Sequence, residues 1–402
     1  MNLDLITFFI FVLLMSIFLY VKRKNIVVQK LLFPLFYLIM YRTSFGLKLM
    51  DKMSKKYREL IKLIGYTCVG LSFLGMIYIS YGVIMVMVKF FMAPATTETG
   101  FTLVLPGTSI PGIGYLSFWY WIIPIVILAI VHEFSHGVMT RAHNVKVKSS
   151  GFAFLGILAP IVPAAFVEPD EKELSKQEDI VQYSVFAAGP ISNIILAFLI
   201  LLIFPYVADM TDSRPAPFED KITYPAGFSV DILNDSLPSG KAGMSGHLLI
   251  DKYDNKTVLD ANLFVRELSC KKPGDVIYLG NNENNYEIKT TAHPDDPNKA
   301  FVGVYNMKNE RKVKPEFSEV KVPYYWLRGL FRWLFLLNYF IGLINLFPIF
   351  ITDGARILRV AMIRTIKNKV RAAKLWSFVN MLFLFLLLVG IAATYLKKIG
   401  LY

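Results

Sequence analysis

The sequence predicts a multi-span α-helical membrane protein, with about six transmembrane helices and an inserted small β-rich soluble domain. Three observations support this fold class. Of the 402 residues, 55% are hydrophobic, and the mean hydropathy is +0.48. Several apolar stretches are long enough to cross a bilayer, and one long polar segment contains no such stretch. A soluble domain confines its apolar residues to one core, so lipid must solvate most of this chain.

Six apolar stretches reach the length of about 20 residues that a bilayer-spanning helix needs. The first stretch has no basic residue before its apolar run, and no obvious small-residue cleavage site follows it. It is therefore expected to be a retained helix and not a signal peptide. The predicted spans cover residues 3–21, 63–92, 118–139, 181–207, 326–347 and 375–396.

Lys and Arg residues in short loops predict the orientation of these spans. The clusters at 22–24, 52–62 and 356–374 can all be cytoplasmic if the N-terminus starts outside, which places residues 93–116 and 209–322 outside. The net charge of +13 then lies mostly in loops that face anionic lipid, and it requires no nucleic-acid partner. The abundance of Lys and Ile favours a prokaryotic protein, and hence a location in the cell membrane.

The third predicted span contains the motif Val131-His132-Glu133-Phe134-Ser135-His136-Gly137. Residues at i and i+4 share a helical face, so His132 and His136 can place two imidazole nitrogens on one Zn²⁺. Glu133, next in the turn, can reach a water at that metal. Ionisable side chains inside an apolar span are costly and normally functional. A buried structural histidine is the alternative for either His, but it does not explain Glu133.

A catalytic zinc usually has three protein ligands, so a third must come from elsewhere in the chain. Cys68 lies in an apolar run and Cys270 in a polar segment, and they offer neither a disulfide framework nor a metal site. Asp353 is the best candidate, because Pro348 breaks the helix before it and Gly354 is expected to permit an unusual backbone turn after it. The alternative is that Asp353 only caps a helix near the cytoplasmic surface.

Two more segments are apolar but too short or too interrupted to be counted as spans. Residues 151–167 carry Gly, Pro and Ala, and they are expected to form a re-entrant loop lining a water path to the metal. Residues 26–41 are marginal in length and are interrupted by Lys30 and Pro34. They lie in the membrane interface or cover the substrate entrance, and the sequence does not choose between these alternatives.

The polar segment 209–321 holds 18 of the 30 acidic residues, and it is predicted to be a soluble domain. Strands are expected at 227–230, 248–258 and 276–280, with one helix at 260–268. The Gly-rich stretch 239–244 and the turn Lys272-Pro273-Gly274-Asp275 resemble those of a PDZ domain, although Gly246-His247 replaces the usual Gly-Asp. Peptide binding by strand addition and a simple packing role both remain open.

The combination of motifs resembles the site-2 protease family of intramembrane zinc metalloproteases. That family pairs a His-Glu-x-x-His span with a later Asn-x-x-Pro-x-x-x-x-Asp-Gly segment, and both occur here in this order, at 132–136 and 345–354. A third element, Gly-Pro-x-x-Asn, has its counterpart within Ala188-Gly189-Pro190-Ile191-Ser192-Asn193. Ile351-Thr352 stands where a Leu often precedes the Asp, which leaves the ligand itself unaffected.

The resemblance implies the roles of the site residues. One Zn²⁺ would be held by His132, His136 and Asp353, and Glu133 would act as the general base on a zinc-activated water. Asn193 and Asn345 would bind the backbone of an extended substrate, with an interhelical hydrogen bond as the alternative for either. The expected partners are a membrane-protein substrate helix, the lipid bilayer and a possible peptide at the PDZ-like domain. The active site would lie nearer the cytoplasmic face.

Four parts are therefore expected along the chain. These are N-terminal membrane segments (1–114), a zinc-motif core with a re-entrant loop (115–208), the PDZ-like domain (209–322) and a C-terminal core with the Asp-Gly motif (323–402). The predicted function is regulated intramembrane proteolysis of transmembrane substrates. A secondary transporter would show inverted repeats, of which the sequence gives no sign. A catalytically silent membrane scaffold would not need Glu133.

Overall fold

The structure is a computed structural model that describes residues 3–32, 36–94, 100–110, 113–157, 159–208, 216–294 and 296–398. The chain forms two compact units. Unit 1 consists of Met1–Val207 and Arg328–Tyr402, and unit 2 of Ala208–Leu327. Unit 2 is therefore an insertion in the sequence between the two parts of unit 1.

Unit 1 is built mainly from long apolar helices. In chain order the α-helices of the described residues are α1 Leu3–Val21, α2 Leu47–Lys56, α3 Arg58–Met92, α4 Phe118–Ala142, α5 Glu171–Leu174, α6 Asp179–Ile203, α7 Pro217–Ile222, α8 Pro238–Lys241, α9 Ala261–Ser269, α10 Ser318–Leu346, α11 Asp353–Thr365 and α12 Lys369–Lys398. Six of them, α1, α3, α4, α6, α10 and α12, are long and apolar enough to cross a membrane. The six predicted spans are thus confirmed as helices. Several begin earlier than predicted, because helical hydrogen bonding continues into polar flanking turns that hydropathy does not mark.

Unit 1 also contains a four-stranded antiparallel sheet. The strands of the described residues are β1 Ile26–Leu32, β2 Phe36–Thr43, β3 Thr108–Ile110, β4 Gly114–Leu116, β5 Val147–Ile157, β6 Ala159–Pro169, β7 Thr223–Ile232, β8 Gly246–Ile250, β9 Lys252–Tyr253, β10 Lys256–Thr257, β11 Val276–Gly280, β12 Asn285–Lys289, β13 Thr291–His293, β14 Asp296–Phe301 and β15 Tyr305–Val313. The sheet of unit 1 has the order β1-β2-β5-β6. β6 is therefore an edge strand.

This sheet contains both of the shorter apolar segments. The described part of residues 151–167 forms the paired strands β5 and β6, and the described part of 26–41 forms β1 and β2. The re-entrant position of the first segment and the interfacial or entrance position of the second stay predictions. In the register, Phe152 lies opposite Tyr41 on one side and Ala165 on the other. Paired strands satisfy each other's backbone N–H and C=O groups, which an unpaired loop among apolar helices would leave without partners.

The starts of α1 and α4 are held together at one end of unit 1. The Asp4 carboxylate accepts hydrogen bonds from the Tyr115 hydroxyl at 2.7 Å and from the Phe118 backbone N–H at 3.2 Å. The two helices therefore begin on the same side and run in the same direction. The orientation predicted from the sequence also has these two spans running in the same direction. The side of the membrane on which they begin stays a prediction.

Close packing brings the helices with the candidate site residues side by side. A Cβ at Gly65 of α3 would lie 2.6 Å from Met139 Sδ of α4, and a Cβ at Gly342 of α10 would lie 3.0 Å from the Pro190 carbonyl oxygen of α6. Small residues at such crossings let membrane helices approach closely, which increases their van der Waals contact.

The helix break before Asp353 occurs where Pro348 predicts it, but Gly354 acts differently from the expectation. α10 ends at Leu346 and α11 begins at Asp353. Gly354 lies inside the first turn of α11 and is not among the positive-φ glycines, so no unusual turn is required of it. Its added Cβ would lie 2.1 Å from the Leu346 carbonyl oxygen. Glycine is needed here because the end of α10 passes directly over it.

Unit 2 contains three sheets, with orders β15-β7-β8, β10-β9-β11-β12 and β13-β14, and the helix α9. The expected single strand at 248–258 is wrong: the segment forms β8, then a tight β9-β10 hairpin whose turn residues Asp254 and Asn255 have positive φ. Asp and Asn tolerate this conformation better than other non-glycine residues. The core includes Phe264, which stacks on Phe228 at 5.2 Å and meets Tyr253 edge-on at 5.6 Å.

Truncation of Phe264, which is fully buried, tests this core. We expect Phe264→Ala to reduce the stability of unit 2 by about 3–5 kcal/mol, because it removes a buried ring and leaves a cavity. Backbone amide exchange of residues 216–294, measured on the full chain in detergent, would report the loss. The neighbouring residue Val265 is 46% exposed, so Val265→Ala should change protection little, within about 0.5 kcal/mol. Equal protection in both variants would contradict this core assignment.

Candidate active site

Three side chains from two distant parts of the sequence converge in unit 1. His132 and His136 lie on α4, and Asp353 is the first residue of α11. The distances are 3.1 Å from His132 Nε2 to Asp353 Oδ2, 3.2 Å from His136 Nε2 to the same oxygen, and 3.1 Å between the two Nε2 atoms. Both histidines are buried, at 9% and 8% exposure. The three residues predicted as metal ligands therefore meet at one point.

The end of α10 and the start of α11 position Asp353. Thr352 is the N-cap of α11, and its hydroxyl oxygen accepts a hydrogen bond from the Ala355 N–H at 3.3 Å. The same hydroxyl can donate its proton to the Phe347 carbonyl, at 2.5 Å, or to the Ile349 carbonyl, at 2.9 Å. The capping role that the sequence left open for Asp353 is thus filled by Thr352, and the Asp353 carboxylate is directed at the histidines.

A hydrogen bond to the backbone of α6 sets the orientation of the His136 ring. His136 Nδ1 lies 2.7 Å from the Val185 carbonyl oxygen. Because a carbonyl only accepts, Nδ1 must carry the proton and donate it, which leaves the Nε2 lone pair facing His132 and Asp353. This backbone contact fixes the tautomer that a metal ligand needs.

Asn193 of α6 holds the other histidine. Its side chain is fully buried, and its amide nitrogen is placed 3.3 Å from His132 Nδ1. Its Oδ1 atom is buried and has no hydrogen-bond partner among the described residues. Half a turn of the amide would let Oδ1 accept a hydrogen bond from Nδ1–H, which leaves Nε2 of His132 as the lone-pair donor. Asn193 thus makes an interhelical contact, which is its alternative role, and its contact with substrate stays a prediction.

Gly189 lets α6 approach the two histidines. A Cβ at this position would lie 2.3 Å from His136 Nε2 and 2.7 Å from His132 Nε2. No real side-chain carbon fits at those distances, so the histidine pair and any larger residue at 189 exclude each other. The sequence contains Gly189 next to Pro190, but nothing in the local pattern indicates that it faces the histidines.

The three ligand atoms suit a divalent metal. Two imidazole lone pairs and a carboxylate oxygen gathered within 4.8 Å, without a cation in the group, concentrate negative potential in a buried place. A tetrahedral Zn²⁺ with ligand distances of about 2.0–2.1 Å separates its ligand atoms by about 3.3 Å. The observed separations of 3.1–3.2 Å are close to this value. Two nitrogens and one oxygen also match the ligand types zinc takes in catalytic sites.

Glu133 faces the sheet beside the ligand cluster. Its Oε2 atom accepts a hydrogen bond from the Val167 backbone N–H of β6 at 2.9 Å. Glu133 lines a small cavity of about 50 Å³ together with residues of α4, β5 and β6. A cavity of this size has room for one or two water molecules, whose share of liquid volume is about 30 Å³ each. The carboxylate can therefore contact a water next to the candidate metal centre.

The remaining polar candidates do not join the cluster. Asn345, in the last turn of α10, is half-buried, and its side-chain amide has no hydrogen bond to other described residues. His143 is buried away from the cluster, with its Nε2 atom 3.3 Å from Ser184 Oγ. His247 pairs with Asp231 at 2.7 Å in unit 2, and this hydrogen bond holds the pKa of Asp231 below its usual range.

Replacement of Gly189 tests the helix contact behind the site. We expect Gly189→Ala to abolish high-affinity metal binding, because the new methyl group occupies the space of the two Nε2 atoms. Metal content after dialysis against a zinc buffer, measured by mass spectrometry, reports the effect. Gly70→Ala on α3 is the matched control, since a Cβ there meets nothing within 4 Å. Full metal content in Gly189→Ala would contradict the placement of α6.

Removal of the Asn193 amide tests the orientation of His132. We expect Asn193→Ala to weaken zinc binding by about 10- to 100-fold, the usual effect of losing a hydrogen-bond partner of a ligating histidine. Competition with a fluorescent chelator measures the change. Asn193→Asp keeps an acceptor for Nδ1–H and should restore most of the affinity. An unchanged zinc affinity in Asn193→Ala would show that His132 needs no support from α6.

Comparison with known proteins agrees with this arrangement. The chain matches peptidase family M50 over residues 120–387, a range that includes His132, Glu133, His136 and Asp353. It is similar to an uncharacterized protein of Methanocaldococcus jannaschii, with 26% identity over 320 residues that cover 78% of this chain and 74% of that protein. With two thirds of its length in the family match, the chain belongs to peptidase family M50, the site-2 protease family.

Proposed function

We propose that the protein is an intramembrane zinc metalloprotease that hydrolyses peptide bonds of transmembrane substrates. The observation that carries this proposal is the meeting of His132, His136 and Asp353, with all ligand atoms within 4.8 Å of one another. Glu133 lies on the same helix as the two histidines and lines a cavity beside β6. Membership of family M50 supports peptidase activity.

The position of the motif supports catalysis at membrane depth. α4 has 25 residues, which is long enough to span a bilayer, and its histidines lie in the second half of this apolar helix. Ionisable groups in such a helix are costly unless they face a cavity or one another. Here His132 and His136 face Asp353, and Glu133 accepts a hydrogen bond from Val167.

Each residue of the site can have its own role in peptide-bond hydrolysis. Bound Zn²⁺ would act as a Lewis acid that activates a water and polarises the scissile carbonyl. Glu133 takes the proton of the attacking water and later donates it to the leaving amine. The backbone N–H of Val167 holds the Glu133 carboxylate in place through these steps. Val185 and Asn193 keep the two imidazole rings oriented.

A helical substrate must unwind to be cut, because its own hydrogen bonds occupy its carbonyl groups. β6 is an edge strand, and Ala165 lies two residues before Val167 on the edge that faces Glu133. An extended substrate segment can pair with this edge. Asn345, half-buried in the last turn of α10, is the further proposed substrate contact.

The rival function classes explain fewer of these contacts. A catalytically silent scaffold has no use for a carboxylate held beside three converging ligands. A transporter would place its broken helices in paired repeats. Within the described residues, the α10-α11 break instead serves to direct Asp353 at α4.

Two substitutions test the assigned roles. Glu133→Gln should keep its zinc, because Gln also offers an oxygen to the Val167 N–H. It should cut a single-span substrate about 10²- to 10⁴-fold more slowly, because the amide cannot act as a general base. Asp353→Ala should lose both zinc and activity. The measurements are zinc content and cleavage in detergent, with mass spectrometry locating the cut within the substrate span.

Glu59→Gln is the control for loss of a carboxylate, since Glu59 is an exposed residue of α3 paired with Lys62. It should keep both zinc and activity. Normal cleavage by Glu133→Gln would refute the general-base role. Zinc retained at full affinity by Asp353→Ala would require a different third ligand.

The two native cysteines test the proposed orientation, with unit 2 outside and the active site nearer the cytoplasm. Cys270 is exposed in unit 2, whereas Cys68 is buried within α3. We expect a membrane-impermeant maleimide to label the chain in intact cells at Cys270, and not to label Cys270→Ser. If Cys270 is labelled only in permeabilised cells, unit 2 lies on the cytoplasmic side and the proposed orientation is wrong.

The PDZ-like reading of unit 2, with a bound peptide, also remains our proposal. β8 is an edge strand of the β15-β7-β8 sheet, and an edge is the feature that strand addition needs. The Asn281 amide donates a hydrogen bond to the Leu249 carbonyl at 3.1 Å. This contact restricts a peptide to the part of β8 near His247. Binding of a labelled peptide library to the full chain, compared with a His247→Pro variant, would test it.

A further inference from the structure

An apolar cavity of about 250 Å³ lies between α1, α4 and the edge of the sheet in unit 1. α1 contributes Phe11, Met15 and Phe18, whose spacing of four and three residues places them on one helical face. The opposite walls are formed by α4 and by the strands β5 and β6. The cavity is half open, and its walls come from three different parts of unit 1.

The cavity adjoins the one that contains Glu133. Ile130, Phe152 and Ala165 line both of them. Ile130 lies one helical turn before Phe134 on α4 and three residues before Glu133. A chain segment lying along the edge of β6 near Ala165 and Val167 could therefore reach Glu133 with its backbone and the apolar cavity with a side chain.

The chemistry of the lining restricts the occupant. All of its side chains are apolar, so a water molecule inside would find no side-chain hydrogen-bond partner. An engineered cavity of about 150 Å³ with such a lining stays dry and binds benzene. The larger volume here accommodates a phenyl ring or a branched aliphatic side chain. A charged or amide side chain would lose its hydration without compensation.

We propose that this cavity receives one bulky apolar side chain of the substrate, close to the scissile bond, and so determines cleavage-site preference. The inference rests on the proposed protease function. Its basis is the continuity with the Glu133 cavity through Ile130, Phe152 and Ala165. A substrate drawn from a transmembrane helix is rich in Leu, Ile and Phe, which are the side chains that the cavity fits.

One alanine limits the size of the cavity without touching the ligand cluster. Ala129 lies on α4, on the same helical face as Val126 and Ile130, and it is half-buried. A larger residue at this position would project into the cavity and shorten the side chain it can hold. Met15 on α1 has the opposite effect, since its truncation enlarges the cavity.

The test measures substrate preference of the full chain in detergent or proteoliposomes. After the cut is mapped, Ala, Leu, Phe or Trp is placed at each of the three residues on either side of it, and kcat/KM is measured. One position should favour Phe or Leu over Ala by about 10-fold or more, the effect typical of apolar specificity pockets. Ala129→Leu should remove that preference by lowering kcat/KM for the Phe and Leu substrates. Met15→Ala should shift the preference towards Trp.

The matched control adds bulk to a different apolar cavity. Ile64 on α3 lines a cavity of about 200 Å³ bounded by the other side of α4, so Ile64→Phe should leave the preference unchanged. The cavity proposal is refuted if no position shows a preference, or if all of these variants keep the preference of the native chain. The protease function stands in either case. The native chain could instead retain a lipid that Ala129→Leu releases while the substrate preference stays unaltered. That result would also refute the proposal, because it would identify an acyl-chain site.

A second measurement does not depend on activity. A substrate with benzoylphenylalanine at the preferred position is irradiated with the Glu133→Gln variant, and the cross-linked peptides are sequenced. Cross-links to Met15 or Phe18 of α1 support the proposal, and cross-links confined to α3 or α12 refute it. If the native zinc-loaded chain cuts no substrate, the protease function fails. Cross-linking with benzoylphenylalanine placed in turn at every residue of the substrate span then decides whether the cavity holds a substrate side chain.

Discussion

The close approach of α6 to α4 at Gly189 is the constraint on which the site depends. The absent side chain at 189 leaves the space that the Nε2 atoms of His132 and His136 occupy. The same face of α6 supplies the Val185 carbonyl to His136 and the Asn193 amide to His132. α6 contributes no ligand, yet it sets the distance between the rings, their tautomers and their direction. A helix placed even slightly farther away would lose all three effects together.

The third candidate ligand, Asp353, depends on a second close approach, at the break between α10 and α11. Gly354 lies under the Leu346 carbonyl, and Thr352 caps α11. These contacts free the Asp353 carboxylate from capping and direct it at the histidines. The cluster thus joins two stretches of chain that unit 2 separates in sequence, and it would hold them together through its bound metal. Such a link would make a bound metal part of the stability of unit 1.

The four-stranded sheet gives this helical unit an edge beside its polar centre. Pairing of β5 with β2 and β6 satisfies backbone groups that lie among apolar helices. The outer edge of β6 is then available, and one of its N–H groups, at Val167, holds Glu133. In the proposed mechanism the same edge aligns an extended substrate. The β6 edge, the general base and the apolar cavity then all contact neighbouring atoms of that substrate.

The sequence by itself determined the six apolar helices, the His132 to His136 motif and the break before Asp353, because each depends on local periodicity or on one proline. It also indicated a separate polar unit, since composition changes sharply there. Only the tertiary structure decided that residues 151–167 pair as strands, that Gly189 faces the histidines, that Thr352 rather than Asp353 caps α11, and that Asn193 supports His132. These features depend on which helix or strand lies opposite, and residues far apart in a sequence carry no local sign of their partners.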